Sequence, residues 1–227
     1  GKTLPAEFAI NHFTGLGKKV VYTSPIKALS NQKYYEFQRK FPDISIGLFT
    51  GDIKTNPCAQ VLIMTTEILM NYLFSLDPSS DSHGDDFELS IQDELACVVF
   101  EEVHYINDRF RGQNWEQTIL MLPPHVQMVM LSATIDNPEK FAAWCERGDK
   151  DPARKQVVLS STHHRVVPLT HYGFLTTNEG VFKRIRDKET QQQIRQKTDK
   201  FVVLKTANGG FQTDGFGTLK TCLDLFD

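Results

Sequence analysis

Cysteine is scarce in this chain, four residues in 227. Cys58, Cys97, Cys145 and Cys222 are widely scattered, with no Cys-x-x-Cys pair and no His at metal-ligand spacing. Neither a disulfide framework nor a zinc site is therefore indicated, and inert thiols in a reducing compartment are expected. Long apolar runs are missing too: nothing approaches the roughly 20 residues of a membrane-spanning helix, and the first residues are not a charged segment leading into an apolar one. The expectation is a soluble, intracellular protein without membrane contact. Charge of one sign is also lacking, with 25 Lys and Arg against 28 Asp and Glu. Any nucleic-acid contact must then come from a local patch rather than an overall basic field. There is no internal repeat and no heptad pattern.

What is present is a core of ordinary size, 40% of residues being hydrophobic, laid out as alternating strands and helices. Lys19-Val-Val-Tyr-Thr-Ser-Pro25 reads as a short buried strand ending at a proline, followed by helix-compatible residues from Ala28 to Phe41. Ile44 to Phe49 and Val61 to Met64 are further strands, the second followed by a helical stretch from Glu67 to Phe74. Ala96 to Phe100 and Met128 to Leu131 complete the set. This alternation predicts an α/β fold with a mostly parallel, doubly wound sheet flanked by helices, whose ligands bind at the carboxyl ends of the strands. Asp77 to Asp86 has no apolar residue and reads as a solvated loop. After Arg165 the character changes: Val166 to Phe174 reads as an exit strand, Glu179 to Lys200 as a charged helix, and Asn208-Gly209-Gly210 as a hairpin signal.

Chemistry concentrates at three places. Gly1-Lys2-Thr3 opens directly into an apolar helical pattern; in a phosphate-binding loop such a Lys reaches the β and γ phosphates, the Thr hydroxyl ligates Mg²⁺, and the helix amino terminus favours the anion. The strand Ala96 to Phe100 runs into Glu101-Glu102-Val103-His104, and an acidic pair at that position can hold Mg²⁺ and polarise an attacking water. Ser132-Ala133-Thr134 follows the last sheet strand, where two small hydroxyls can hydrogen-bond the acidic pair. Composition alone reads Lys27 and Lys33 as solvated surface charges, and Arg109 and Arg111 as a solvated turn.

Taken together, Gly1-Lys2-Thr3, Thr23-Ser24-Pro25-Ile26-Lys27-Ala28-Leu29-Ser30-Asn31-Gln32-Lys33, Thr50-Gly51-Asp52, Thr65-Thr66-Glu67-Ile68-Leu69, Glu101-Glu102-Val103-His104 and Ser132-Ala133-Thr134 resemble, in order and spacing, the motifs of superfamily two DExH-box helicases. The long Thr-Ser-Pro string and Val-His-Tyr-Ile-Asn-Asp resemble specifically the superkiller group of exosome-associated RNA helicases. The resemblance covers about Gly1 to Phe174. It implies a RecA-like phosphate-loop domain that uses ATP and Mg²⁺ to move along and unwind RNA. Carried over by position, Gly1, Lys2 and Thr3 would bind the nucleotide, Thr3 and Glu101 would hold Mg²⁺, and Glu102 would orient water. His104, Ser132 and Thr134 would couple hydrolysis to strand movement, while Pro25, Lys27, Gly51, Asp52, Thr65 and Thr66 would line a single-stranded RNA path. Exosome or adaptor proteins are the implied partners, in the cytoplasm or the nucleus.

Three positions depart from that pattern: Glu101 replaces an Asp, Met70 an Arg and Val166 a Pro. The extra methylene of Glu101 pushes the carboxylate toward a metal that demands near-ideal octahedral geometry, so a nonhydrolysing RNA-binding or scaffolding domain is the competing expectation. The expected organisation is a first helicase domain over residues 1–174, beginning inside its own phosphate-binding loop, and a linker or appendage over 175–227 leading to a second core domain. Such a fragment is expected to be inactive by itself.

Overall fold

The computed structural model describes residues 2–76, 89–133, 135–146, 155–162, 167–177 and 179–224. Gly1, the polar loop at 77–86, Thr134 and Val166 lie outside them. The chain divides into two compact units, Gly1–Leu159 and Ser160–Asp227.

The first unit is built on a six-stranded sheet. Helix α1 (Leu4–Gly15) starts with Pro5 in its first turn, where a missing N–H costs nothing. Strand β1 (Lys19–Ser24) follows and ends at Pro25, after which α2 (Lys27–Lys40) begins. Then come β2 (Ile46–Phe49), the short β3 (Lys54–Thr55), β4 (Val61–Thr65), α3 (Thr66–Ser75) and β5 (Leu95–Phe100). A single-turn 3₁₀ helix (Val103–Asn107), α4 (Gly112–Met121), β6 (Gln127–Met130) and α5 (Pro138–Glu146) complete the unit.

In space the strand order is β3-β2-β4-β1-β5-β6, all parallel except β3, which pairs antiparallel with β2 at the edge. Strands β1, β2, β4 and β5 are buried on both faces, which is why they read as apolar runs rather than alternating ones, while β6 at the edge is only partly buried. Val20, Tyr22, Leu48, Ile63 and Val99 pack with Ala9 and Ile10 of α1 and Phe37 of α2. Val21, Leu62, Met64, Val98 and Phe100 pack on the other face with Leu69 of α3 and Trp115 and Ile119 of α4. This is the doubly wound arrangement the sequence predicts.

The second unit pairs β7 (His171–Phe174) antiparallel with β8 (Phe201–Lys205). The strand expected to be the exit strand thus pairs within this unit. The single helix expected from Glu179 to Lys200 is two, α6 (Glu179–Arg184) and α7 (Lys188–Lys197). Asp187 makes the break, since its carboxylate accepts from the Thr190 N–H at 2.7 Å and caps a new helix. The Asn208-Gly209-Gly210 turn forms, with Gly209 at φ 86°, where a side chain would be strained. The run after it makes only one bridge, Lys205 to Phe211, before becoming α8 (Thr213–Asp224). Leu219 of α8 packs so close to Gly173 that a Cβ there would collide with it.

Candidate functional site

Parallel strands in register end together, and here that puts the chemistry-bearing segments on one edge. Ser24 pairs with Thr65, Thr23 with Phe100, and Phe100 with Met130. The ladder also continues past the strand ends: the Glu101 N–H donates to the Thr23 carbonyl at 2.9 Å, and the Val103 N–H to the Leu131 carbonyl at 2.9 Å. These bonds fix the acidic pair between the exits of β1 and β6.

Glu102 adopts φ 51° and ψ 48°, the left-handed region, at a cost of about 1–2 kcal/mol for an L-residue. Such strain persists where the surrounding structure enforces it, and functional sites are where it gathers. Its carboxylate meets the Lys2 ammonium at 3.2 Å, across 100 residues of sequence. On its other side His104 Nδ1 lies 3.3 Å from Glu102 Oε2 and 3.3 Å from the Ser132 hydroxyl. Lys2, Glu102, His104 and Ser132, all named from sequence, thus form one contiguous polar chain. Thr3 stands at the amino end of α1, whose first turn has no side-chain cap. Gly1 and Thr134 lie outside the described residues.

Glu101 faces the opposite way, toward groups that sequence reasoning passed over. Lys33 is a correction: read as a surface charge, it is 8% exposed. Its ammonium sits 3.0 Å from Glu36 and 3.8 Å from Glu101. Burial raises the Glu101 carboxyl above its ordinary range, an effect the Lys33 charge opposes. The same burial, reinforced by the nearby Glu101 charge, raises the Tyr22 hydroxyl. Among the described residues Glu101 Oε2 is buried without a hydrogen-bond partner of good geometry, whereas Glu102 Oε2 has the His104 ring 3.3 Å away. Orphaned carboxylate oxygens are costly in a protein interior. A cation beside Glu101, with phosphate and water oxygens completing its shell, would satisfy that oxygen in the way Mg²⁺ is usually held. The unpaired Glu101 oxygen is therefore compatible with a divalent cation held largely by ligands from outside the chain.

Because the folded carboxyl of Glu101 is raised above its unfolded value of 4.5, ionising it weakens the folded state. That penalty is absent below the unfolded value and complete above the folded one. Glu101→Gln is accordingly expected to raise the melting temperature at pH 7–8 and to lose this advantage as pH falls toward about 4. Melting curves across that range check it, and a neutral-pH destabilisation contradicts it.

The remaining sequence-named residues spread along the exits of β1, β2 and β4. Lys27, Gly51 and Asp52 are exposed, and the Lys27 ammonium pairs with the Asp52 carboxylate at 2.6 Å. Pro25, Thr65 and Thr66 are buried, Thr66 with a hydroxyl that has no partner. Neither α2 nor α3 has a side-chain cap on its first turn, so both present free N–H groups along this edge. Arg111 lies in an exposed turn as expected, but its guanidinium also donates to the Pro25 carbonyl at 3.3 Å.

A family model described as DEAD/DEAH box helicase matches residues 1–141. Antiviral helicase SKI2 of Saccharomyces cerevisiae is 47% identical over 169 residues, which are 74% of this chain and 12% of that protein. Superkiller complex protein 2 of Homo sapiens is 46% identical over 220 residues, 95% of this chain and 15% of that protein. Exosome RNA helicase MTR4 of Homo sapiens is 42% identical over 181 residues, covering 80% and 16% respectively. The chain thus spans less than a fifth of the length of each of these relatives.

Proposed function

Since the chain belongs to the DEAD/DEAH box helicase family, we propose that it is the first core domain of an ATP-dependent RNA helicase of the superkiller type, hydrolysing ATP to move along and unwind RNA. The observation that carries this reading is the polar chain Lys2–Glu102–His104–Ser132, which joins a phosphate-loop lysine to an acidic pair and to a relay leading away from it.

Lys2 and Thr3 would hold the nucleotide's terminal phosphates, Thr3 and Glu101 would hold Mg²⁺, and Gly1 is assigned to the nucleotide from its motif alone. The chemistry that Mg²⁺ would supply there, when bound with the nucleotide, is neutralisation of charge developing on the transferred phosphoryl group. Glu102 swings its carboxylate from the Lys2 ammonium to the attacking water, orients it and takes its proton. His104 follows that change through the Ser132 hydroxyl, beyond the exit of β6, and Thr134 is assigned to the same coupling from its motif alone. The first core domain reaches the end of the first compact unit, and residues beyond it lead toward a second core domain that closes on ATP.

RNA runs along the exits of β1, β2 and β4. The uncapped first turns of α2 and α3 offer N–H groups to phosphates, Lys27 adds a cation, and Gly51 keeps the backbone open to the strand. Asp52 holds Lys27 until a phosphate replaces it, while Pro25, Thr65 and Thr66 shape the edge from beneath. Contacts of this kind position the strand without reading bases. Lys27→Ala is expected to weaken RNA binding uniformly across sequences and to reduce the slope of log affinity against log salt by about 0.7. Titration of a labelled oligonucleotide at several salt concentrations measures it; an unchanged slope removes Lys27 from the path. Exosome or adaptor proteins are the partners proposed from the relatives, in the cytoplasm or nucleus. Among the described residues no helix is long and apolar enough to cross a membrane.

One observation favours a second reading, a nonhydrolysing scaffold: the Glu101 carboxylate is turned toward Lys33. RNA-stimulated ATPase of the intact helicase separates the two. A silent protein revived by Glu101→Asp establishes the scaffold. Robust native turnover establishes the enzyme.

A further inference from the structure

The turn after the acidic pair carries Phe110 with 88% of its surface exposed, more than any other large apolar residue among those described. An exposed side chain on a mobile loop would mean little, but this turn is fixed at both ends. The Asp108 carboxylate accepts from the Phe110 N–H at 3.0 Å and the Arg111 N–H at 2.8 Å, and the Gly112 N–H donates to the Asp108 carbonyl at 2.9 Å. Those bonds hold the Asp108 carboxyl below its usual range, the Arg111 N–H contributing most. Gly112 is wedged so tightly against the Ile106 carbonyl that a Cβ would collide with it. The Arg111 guanidinium then ties the turn to the Pro25 carbonyl at 3.3 Å, at the exit of β1. An exposed aromatic flanked in sequence by Arg109 and Arg111 is therefore carried on a fixed turn that the Arg111 guanidinium joins to the exit of β1.

Nucleobases stack on aromatic faces whatever their identity, while neighbouring cations hold the backbone, and this is how proteins bind single strands without sequence preference. We propose that Phe110 is a stacking platform for one base of single-stranded RNA, presented by the Asp108–Gly112 turn. It rests on the RNA path proposed above, which would otherwise consist only of phosphate contacts. Burying a ring on a turn already ordered costs little conformational entropy, so the stacking energy is retained as affinity.

The test titrates labelled oligouridylate, and an abasic oligonucleotide of the same length, against the full chain and its Phe110→Leu, Phe110→Trp and Lys27→Ala variants. Phe110→Leu is expected to weaken oligouridylate binding about tenfold, without altering the salt slope and without affecting the abasic strand. Phe110→Trp is expected to bind as the parent does, with added indole fluorescence that oligouridylate quenches and the abasic strand leaves unchanged. Parental affinity in Phe110→Leu overturns the platform. If Lys27→Ala still weakens binding in that case, the path stands without it; if neither variant changes binding, or the parent does not bind, path and platform fall together. Should Phe110→Leu melt early, quenching in Phe110→Trp decides the matter alone.

Discussion

Glu102→Gln is expected to reduce RNA-stimulated ATP turnover in the intact helicase by at least about a hundredfold, the lower end of what a positioned proton acceptor contributes. Gln keeps the length and shape of the side chain and needs no different backbone from Glu at φ 51°, so the substitution isolates the charge. The amide cannot take a proton from water, and it offers Lys2 no ion pair in place of the one at 3.2 Å. Nucleotide and RNA affinity should change far less than turnover, because Lys2, Thr3 and Lys27 are untouched. Steady-state ATPase with saturating RNA is the measurement. Turnover within a few-fold of the parent would falsify the assignment of Glu102 and move the search to Glu101.

The largest expected loss of stability is at Trp115. It is fully buried, packs with Val98, Phe100 and Ile119, and stacks on Tyr105 with ring centroids 6.0 Å apart. Its indole N–H has no hydrogen-bond partner, so truncation to Ala removes apolar packing and leaves no acceptor stranded. Trp→Ala in a core costs about 3–5 kcal/mol, a large share of the roughly 5–15 kcal/mol that holds a domain folded. Urea unfolding at neutral pH reads it directly. Tyr105 in turn lies against His104, with centroids 5.3 Å apart. Trp115→Ala should therefore also loosen the relay behind Glu102, and Trp115→Phe should recover part of both effects. A loss below about 1 kcal/mol would mean that the core collapses around the gap, against the usual behaviour of large aromatic sites.

The sheet was legible in the sequence because strands buried on both faces are largely apolar, as β1, β2, β4 and β5 are, and the partly buried β6 still carries three apolar residues in a row. The two-residue β3 was too short to carry a pattern. Helix α4 was missed because its buried residues, Trp115, Thr118 and Ile119, are interrupted by polar ones and follow a glycine. The order of the motifs located Lys2, Glu102, His104 and Ser132, and the structure brings those four together. Lys33 was not legible: a Lys three residues before a Glu on a helix looks like a surface pair, and only the packing of α2 on the sheet buries it. The left-handed backbone of Glu102 was hidden too, since nothing about a glutamate announces it.

The strand order has one more result. Along the chain the motifs come as β1, β2, β4, β5, β6, but along the sheet edge they fall as β2, β4, β1, β5, β6. The stretch from Pro25 to Thr66 thus occupies one half of the edge without interruption, and the stretch from Glu101 to Ser132 the other, with β1 as the border both share. Each half of the edge is thus encoded by a continuous length of chain, with Lys2 reaching the second half from beside the amino end of α1. Either half is therefore open to replacement as a block from a relative, provided β1 keeps its register on both sides.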